Sequence, residues 1–381
     1  CTYKRAPMTF VRGAGVELFD KEGNSYLDFA SGIAVNALGY GDAGIRKAME
    51  QAMKSGLIHV SNLYRTEPAE RLADALVRES FASKVFLCNS GAEANEGAFK
   101  FARKWARSTG SDLKTGIIAL RGGFHGRLFA SLAATDRPSY RAPFEPLAGG
   151  IGIFERDLDD LDAALDGESV AALIVEPVQG EGGVRVLDAE LIRSLRDLTS
   201  QRRIALIFDE IQCGLGRLGT FLAYESFGVV PDMVTLAKPL AGGLPMGAIL
   251  VSREIAETIA PGDHGTTFGG GPFVASVAEH VVGRLADPQL LASVRSNGAW
   301  LGEQLRAIAS RTARVRAVRG MGYMWGIDVV EKAAAVMERG WRSGLLVITA
   351  GDHTLRLLPP LVTQREELHR GLEMLEHALT P

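Results

Sequence analysis

Three ionisable residues follow runs of apolar residues: Glu176 after AALIV (171–175), Asp209 after IALIF (204–208) and Lys238 just after MVTL (233–236). Such runs predict buried parallel strands, and in open parallel sheets ligands gather beyond the carboxyl ends of the strands. Carboxylates and an amine would then share one rim. An amine that attacks a carbonyl must be neutral, and partial desolvation lowers a lysine's pKa toward that form, which makes Lys238 a candidate Schiff-base former. On its own, Ala237-Lys238-Pro239 also fits a surface lysine at a strand end. An ionised Asp209 at such a place is costly unless a cation meets it; a protonated pyridine nitrogen is one such cation, and a ring held in that form is an electron sink for a substrate carbanion. A helix N-cap is the other reading of Asp209. Gln212 could hydrogen-bond a ring substituent or simply lie exposed.

Two further segments carry groups of the right type. In CNSGAEANEGAFKFARKW (88–105) a strand passes through Asn89, Ser90 and Gly91 into a helix, with Ser90 and Glu93 in the capping-box pattern. The amides of Gly91 and Ala92 at such a helix start suit a phosphate, although capping alone also explains the Ser-Gly pair. In GGFHGR (122–127), Phe124 could stack on a planar ring and Arg127 could grip a carboxylate in bidentate fashion. Core packing and a surface ion pair are the alternatives. His125 between them reads as structural, because Lys238, once released, already supplies a base.

The elements that must position these groups are those of an α/β protein. Strands are expected at 85–88, 117–120, 171–175, 204–208 and 233–236, with amphipathic helices such as 69–79 between most of them. A hairpin is expected over 16–29, turning at Glu22-Gly23-Asn24. Beyond residue 275 the pattern predicts helix over 277–309, strands near 323–329 and 355–358, and a final helix. We divide the 381 residues into an N-terminal segment with the hairpin (1–40), packing with a smaller C-terminal α+β domain (275–381), and a large domain (41–274).

Composition narrows the partners. With 46% hydrophobic and 23% charged residues and a formal net charge of −3, nothing draws the chain to nucleic acid or to an anionic membrane. The apolar runs are far shorter than the roughly 20 residues of a membrane span. Cys1, Cys88 and Cys213 are too few and scattered for a disulfide framework or a metal cluster, which points to a reducing cytoplasm. CTYKRAPMTF is not a secretory signal, and a start without Met suggests trimming, which could hide a targeting segment.

Taken together, NSGAEANE (89–96), FHGR (124–127), EPVQGEGGV (176–184), FDEIQCGLGRLG (208–219), LAKPLAGGLPMGA (236–248), HGTTFGG (264–270) and LRLLPPLV (355–362) resemble the class III aminotransferases in order and spacing, from Tyr3 to about Thr363. The resemblance implies a pyridoxal-phosphate-dependent transferase of fold type I, with a mainly parallel seven-stranded sheet flanked by helices. It makes Lys238 the cofactor's covalent anchor, Asp209 the partner of its ring nitrogen and Gln212 a contact to its ring hydroxyl. Gly91 and Ala92 would hold the phosphate and Phe124 would stack on the ring. Thr267 would reach the phosphate of the neighbouring subunit, giving a homodimer with shared active sites.

The same resemblance implies two substrates in one pocket: an amino donor, then 2-oxoglutarate. Arg356 would receive a carboxylate of the dicarboxylic substrate, and Glu181 would pair with Arg356 when the donor is bound, with a permanent ion pair as the alternative. Arg127 would hold the donor's α-carboxylate, helped by Tyr3 and Thr266. SGIAVNALGY (31–40) resembles the acetylornithine branch, with Ile33 where ornithine enzymes carry tyrosine. The implied reaction moves the δ-amino group of N2-acetylornithine to 2-oxoglutarate, giving N-acetylglutamate 5-semialdehyde and glutamate, a step of arginine synthesis. Succinylornithine, ornithine and 4-aminobutyrate are the alternative donors, and an aminomutase fits less well. Four positions depart from the family pattern: Gly271 for Asn, Pro239 for Gly, Leu128 for Thr and Tyr40 for His. Pro239 is expected to restrict Lys238.

Overall fold

A computed structural model describes residues 2–380. Cys1 lies outside the described residues, and Cys88 and Cys213 are buried free thiols.

The centre is a seven-stranded sheet in the order Lys84–Cys88, Gly247–Val251, Met233–Leu236, Ala205–Asp209, Val170–Val175, Gly116–Leu120, Ile151–Phe154. Six strands run in one direction; Gly247–Val251 runs against both of its neighbours. All five expected strands are there. Val170–Val175 and Ala205–Asp209 are buried at every residue, as their uninterrupted apolar sequence requires of strands covered on both faces. Two strands of this sheet escaped the sequence reading: Ile151–Phe154, and Gly247–Val251, whose apolar run is masked by the glycine-rich AGGLPMG before it. Register aligns Asp209 with Thr235, so the carboxylate and the lysine three residues beyond Thr235 leave the sheet at the same edge.

The expected hairpin forms from Glu17–Asp20 and Ser25–Asp28, with Phe10–Ala14 adding a third strand. Asp20 closes the turn by accepting from Asn24 N–H (2.8 Å), Glu22 N–H (3.1 Å) and Tyr26 Oη (3.0 Å). Ser25–Asp28 also pairs, in parallel, with Leu345–Leu346. A further sheet joins Val315–Met321, Met324–Val329, Thr354–Leu357 and Ile348–Ala350, and its register sets Gly326 opposite Arg356. The helix expected over 277–309 is two, Pro272–Leu285 and Pro288–Arg311. The break falls where Pro288 cannot continue a helix and Asp287 caps a new one, accepting from Gln289 N–H. Among the described residues no helix is long and apolar enough to cross a membrane.

The hairpin is pinned to the C-terminal helix Arg365–Leu379 at one close approach. A Cβ at Gly371 would lie 2.2 Å from Cε2 of the fully buried Phe29. Overpacking of this kind costs about 1–3 kcal/mol. Gly371→Ala should therefore lower the melting temperature by several degrees in calorimetry while leaving the cavity beside Lys238 intact.

Candidate active site

Beyond the strand ends lies a cavity of about 420 Å³. Lys238, Asp209, Gln212, Phe124, Gly91, Ala92, Arg127 and Glu181 all line it, as do Glu176 and His125. Residues scattered over the sequence from 91 to 238 are brought to one wall because the strands that carry them end together.

Lys238 opens a short 3-10 turn, Lys238–Ala241, immediately after its strand. Its φ is 41°, a left-handed value that a residue before proline strongly disfavours. A proline at 239 adds to the strain of that conformation, which the surrounding fold must hold. Desolvation lowers the pKa of the amine, opposed by the Asp209 carboxylate and reinforced by the Arg356 charge. The proton thus leaves Lys238 more readily than it leaves a surface lysine, as a nucleophilic amine needs.

Asp209 is 3% exposed. Its Oδ2 accepts from Asn95 Nδ2 at 2.8 Å and lies 2.8 Å from His125 Nδ1, while Oδ1 accepts from Ile211 N–H at 3.1 Å. Asn95 is itself fixed, donating to the His125 carbonyl (2.7 Å) and accepting from Thr235 Oγ1 (2.8 Å). Glu176 stands beside this group, accepting from Phe124 N–H at 2.8 Å. Burial raises its carboxyl to about 7, with the neighbouring His125 charge opposing and the Asp209 charge reinforcing that rise.

At the other end of the cavity the helix Gly91–Thr109 begins. Ser90 Oγ accepts from Glu93 N–H at 3.2 Å, and Glu93 accepts in return from Asn89 N–H at 3.0 Å, so the expected cap forms one residue out of its ideal register. First-turn amides have no partner within the helix, which leaves Gly91 and Ala92 as donors on the cavity wall. A Cβ at Gly91 would sit 2.7 Å from Cδ1 of Ile211, so any other residue here would have to push the Ile211 side chain aside, on the cavity wall.

The Arg127 guanidinium stacks 3.7 Å over the Tyr140 ring and 5.6 Å from the Phe124 ring, and among the described residues it forms no ion pair. Arg356 lies behind the wall. Its Nη2 donates to Glu181 Oε1 at 2.6 Å and its Nη1 to Gln212 Oε1 at 2.9 Å. Gln212 therefore faces Arg356 as well as the cavity, in space that a Cβ at Gly180 would fill, 2.1 Å from Gln212 Oε1.

Three expected site residues are elsewhere. Tyr3 is 77% exposed, and Thr266 and Thr267 line a separate cavity of about 710 Å³ with Asn62 and Tyr64. Ile33 is 44% exposed, and Val35 rather than Ile33 lines the cavity beside Lys238. His125, set aside as structural, and Asn95, never singled out, both touch Asp209. The helical spacing from Gly91 to Asn95, one turn, was the available signal for the second.

A desolvated amine, a buried carboxylate, an aromatic ring and free helix-start amides in a cavity of this size match the aldehyde, ring nitrogen, ring face and phosphate of pyridoxal phosphate. Over residues 2–379 the sequence matches the family model "Aminotransferase class-III". The chain belongs to the class III aminotransferases. A curated relative, the mitochondrial acetylornithine aminotransferase of Alnus glutinosa, is 44% identical over 99% of this chain and 85% of its own length. The acetylornithine aminotransferase of Clostridium acetobutylicum is 42% identical over 99% of this chain and 98% of its own length. Among solved structures, the N-acetylornithine aminotransferase of Stenotrophomonas maltophilia superposes with a TM-score of 0.86 at 37% identity, covering 99% of this chain and 96% of that one. The protein is a pyridoxal-phosphate-dependent transaminase of fold type I, acting on an amino donor and a keto acid, as class III aminotransferases do.

The close approach at Gly91 makes a prediction specific to the phosphate. Gly91→Ala should weaken pyridoxal phosphate binding by about tenfold or more, and weaken phosphate-free pyridoxal much less, in absorbance titrations of the cofactor-free protein.

Proposed function

We propose that the protein transfers the δ-amino group of N2-acetylornithine to 2-oxoglutarate, giving N-acetylglutamate 5-semialdehyde and glutamate. The observation that carries this reading is the placement of two arginines about one cavity, Arg127 open on its wall and Arg356 masked by Glu181. A monocarboxylate donor and a dicarboxylate acceptor must use the same cavity in turn, so one cation has to be available in one half of the cycle and neutralised in the other. Pairing with Glu181 neutralises Arg356 without leaving a buried charge bare, an error that costs roughly 3–5 kcal/mol. The relatives named above add their own support for an acylated ornithine.

In this reading Lys238 holds the aldehyde carbon and, once released, moves the proton at the substrate's reacting carbon. Asp209 holds the ring nitrogen, Phe124 packs on the ring, Gly91 and Ala92 hold the phosphate, and Gln212 reaches the ring hydroxyl. Pyridoxal phosphate supplies the electron sink when bound. Arg127 orients the donor's α-carboxylate, so that the distant amine meets the cofactor. Thr267 reaches the phosphate in the neighbouring subunit of a homodimer, and Tyr3 and Thr266, the latter accepting from the cavity-lining Asn89 at 3.1 Å, help at the mouth of the pocket; the enzyme works in the cytoplasm.

One observation favours succinylornithine as the alternative donor. A cavity of about 310 Å³ shares Glu181 with the first and is lined by Arg137, Arg185 and Arg316 as well as Asp328 and Asp352, and any of these arginines could meet an acyl group with a carboxylate of its own. Ornithine and 4-aminobutyrate remain further alternatives, to be separated by the same assay. Adding each donor to the holoenzyme without acceptor and following loss of the cofactor's visible absorption decides among them; no loss with any terminal amine would overturn the transaminase assignment to ω-amines.

Two variants test the roles. Lys238→Ala should bind pyridoxal phosphate without a covalent link, so that borohydride fixes no cofactor to the peptide around 238, and turnover should fall by at least about a thousandfold. Glu181→Gln should cost the donor half-reaction about tenfold in kcat/KM and leave that of 2-oxoglutarate unchanged or improved, because Arg356 is then permanently unmasked. Equal losses in both half-reactions would make the pair merely structural.

A further inference from the structure

The wall of the cavity behind the ring site holds more than one buried carboxylate. Asp209, His125 and Glu176 are all nearly inaccessible to solvent, exposed by 3%, 2% and 6%. His125 Nδ1 lies 2.8 Å from Asp209 Oδ2, on the opposite carboxylate oxygen from the one that Ile211 N–H reaches. The segment that carries His125 is fixed on both sides. Thr135 Oγ1 accepts from His125 N–H at 2.9 Å, the His125 carbonyl accepts from Asn95 Nδ2, and the adjacent Phe124 N–H donates to Glu176 Oε2. One imidazole thus meets the Asp209 carboxylate, and the backbone beside it holds Glu176, on a wall of the cavity that is nearly closed to solvent.

We propose that His125 is a positioning residue for the proton on the cofactor's ring nitrogen, and that Glu176, His125 and Asp209 form one buried proton-sharing array. This rests on the cofactor placement proposed above. Two anions, Asp209 and Glu176, face the imidazole, and Lys238 and Arg356 are the cations whose charge reaches this wall, with Glu181 beyond them. A ring nitrogen that carries its proton against Asp209 adds another cation. Of the groups present, Glu176 and His125 are the pair that can adjust to that charge, taking up or releasing one proton through the cavity that both line. Their ordinary behaviour in this setting agrees. Burial alone would lower His125, yet the hydrogen bond and charge of Asp209 and the charge of Glu176 raise it, while Glu176 is itself lifted to about 7. Two such groups titrate as a unit.

The array makes the two partners act on the site with opposite sign. With His125 charged, Asp209 is a weaker acceptor for the ring proton; with Glu176 ionised, every cation on this wall is favoured. Glu176→Gln removes a negative charge without changing shape. His125→Asn keeps a donor near the Nδ1 position and removes the positive charge. A neutral packing role would give neither effect.

The test uses the pyridoxal phosphate holoenzyme, its visible absorption followed from about pH 5 to 9. Glu176→Gln should move the midpoint of the spectral transition down and His125→Asn should move it up, each by about one unit. His125→Leu, which also deletes the bond to Asp209, should weaken cofactor retention about ten- to a hundredfold. Unchanged midpoints, or shifts of the same sign in Gln and Asn variants, would overturn the proposal. If the Leu variant melts out before it can be loaded, the opposed shifts of the two shape-preserving variants still decide. A wild-type protein that takes up no pyridoxal phosphate would instead overturn the cofactor placement itself.

Discussion

A carboxylate at the end of a strand buried on every residue cannot be left to the solvent, and the geometry of this site follows from how Asp209 is met. Its two oxygens receive an amide hydrogen from its own turn, a carboxamide from the helix Gly91–Thr109 and an imidazole from the loop after Gly116–Leu120. Each donor arrives from a different element, so the elements cannot shift independently without stripping the charge of a partner. Hydrogen bonds to charged groups contribute about 1.5–3 kcal/mol each, and a buried charge that loses one is penalised by more than that. Asn95 extends the constraint to the neighbouring strand through Thr235. The helix start at Gly91, proposed to hold the phosphate, is thereby held at a fixed distance from the carboxylate proposed to meet the ring nitrogen.

The same logic explains what could be read from the sequence. Apolar runs followed by Glu, Asp or Lys located Val170–Val175, Ala205–Asp209 and Met233–Leu236 and the ionisable residues that leave them, because a strand covered on both faces has no freedom to be polar inside. The helix start at Ser90-Gly91 was legible for a similar local reason, a cap and a close approach. Asn95 and the role of His125 were not. Asparagine in mid-helix is a weak signal, and the meaning of these residues lies in contacts across 84 and 114 positions of sequence, which only the sheet order creates. Ile33 shows the converse. Its residue type carried an inference about substrate, but the chain turns there through left-handed conformations, φ 65°, and presents Val35 to the cavity instead.

Strain at Lys238 is the price of its placement. A left-handed backbone before proline costs of order 1–3 kcal/mol, and it persists only where the surroundings over-determine it. Here they do: the residues before it are locked in register between Ala205–Asp209 and Gly247–Val251, and the turn after it is closed by Gly242 N–H on the Pro239 carbonyl. The sheet therefore aims the amine, and Pro239, with its fixed φ, leaves the turn after it little freedom.

The arginine pair shows how such rigidity can coexist with a switch. Arg356 is exposed by only 2% at its side chain and is held by strand register on both sides and by Gln212 Oε1, whereas the Glu181 side chain is exposed by 24% and sits on a glycine-rich connection, Gly180 to Gly183. In an exchange of partners the member with the smaller desolvation change and the looser backbone moves at lower cost. That member is Glu181. Arg356, with Nε already lacking a partner, cannot leave its place without uncovering more of a buried cation. Under the proposed function, a dicarboxylate entering the cavity meets a cation whose position is fixed by the fold and whose mask is the more exposed and more loosely held partner, which is the asymmetry that two substrates of different charge require of one site.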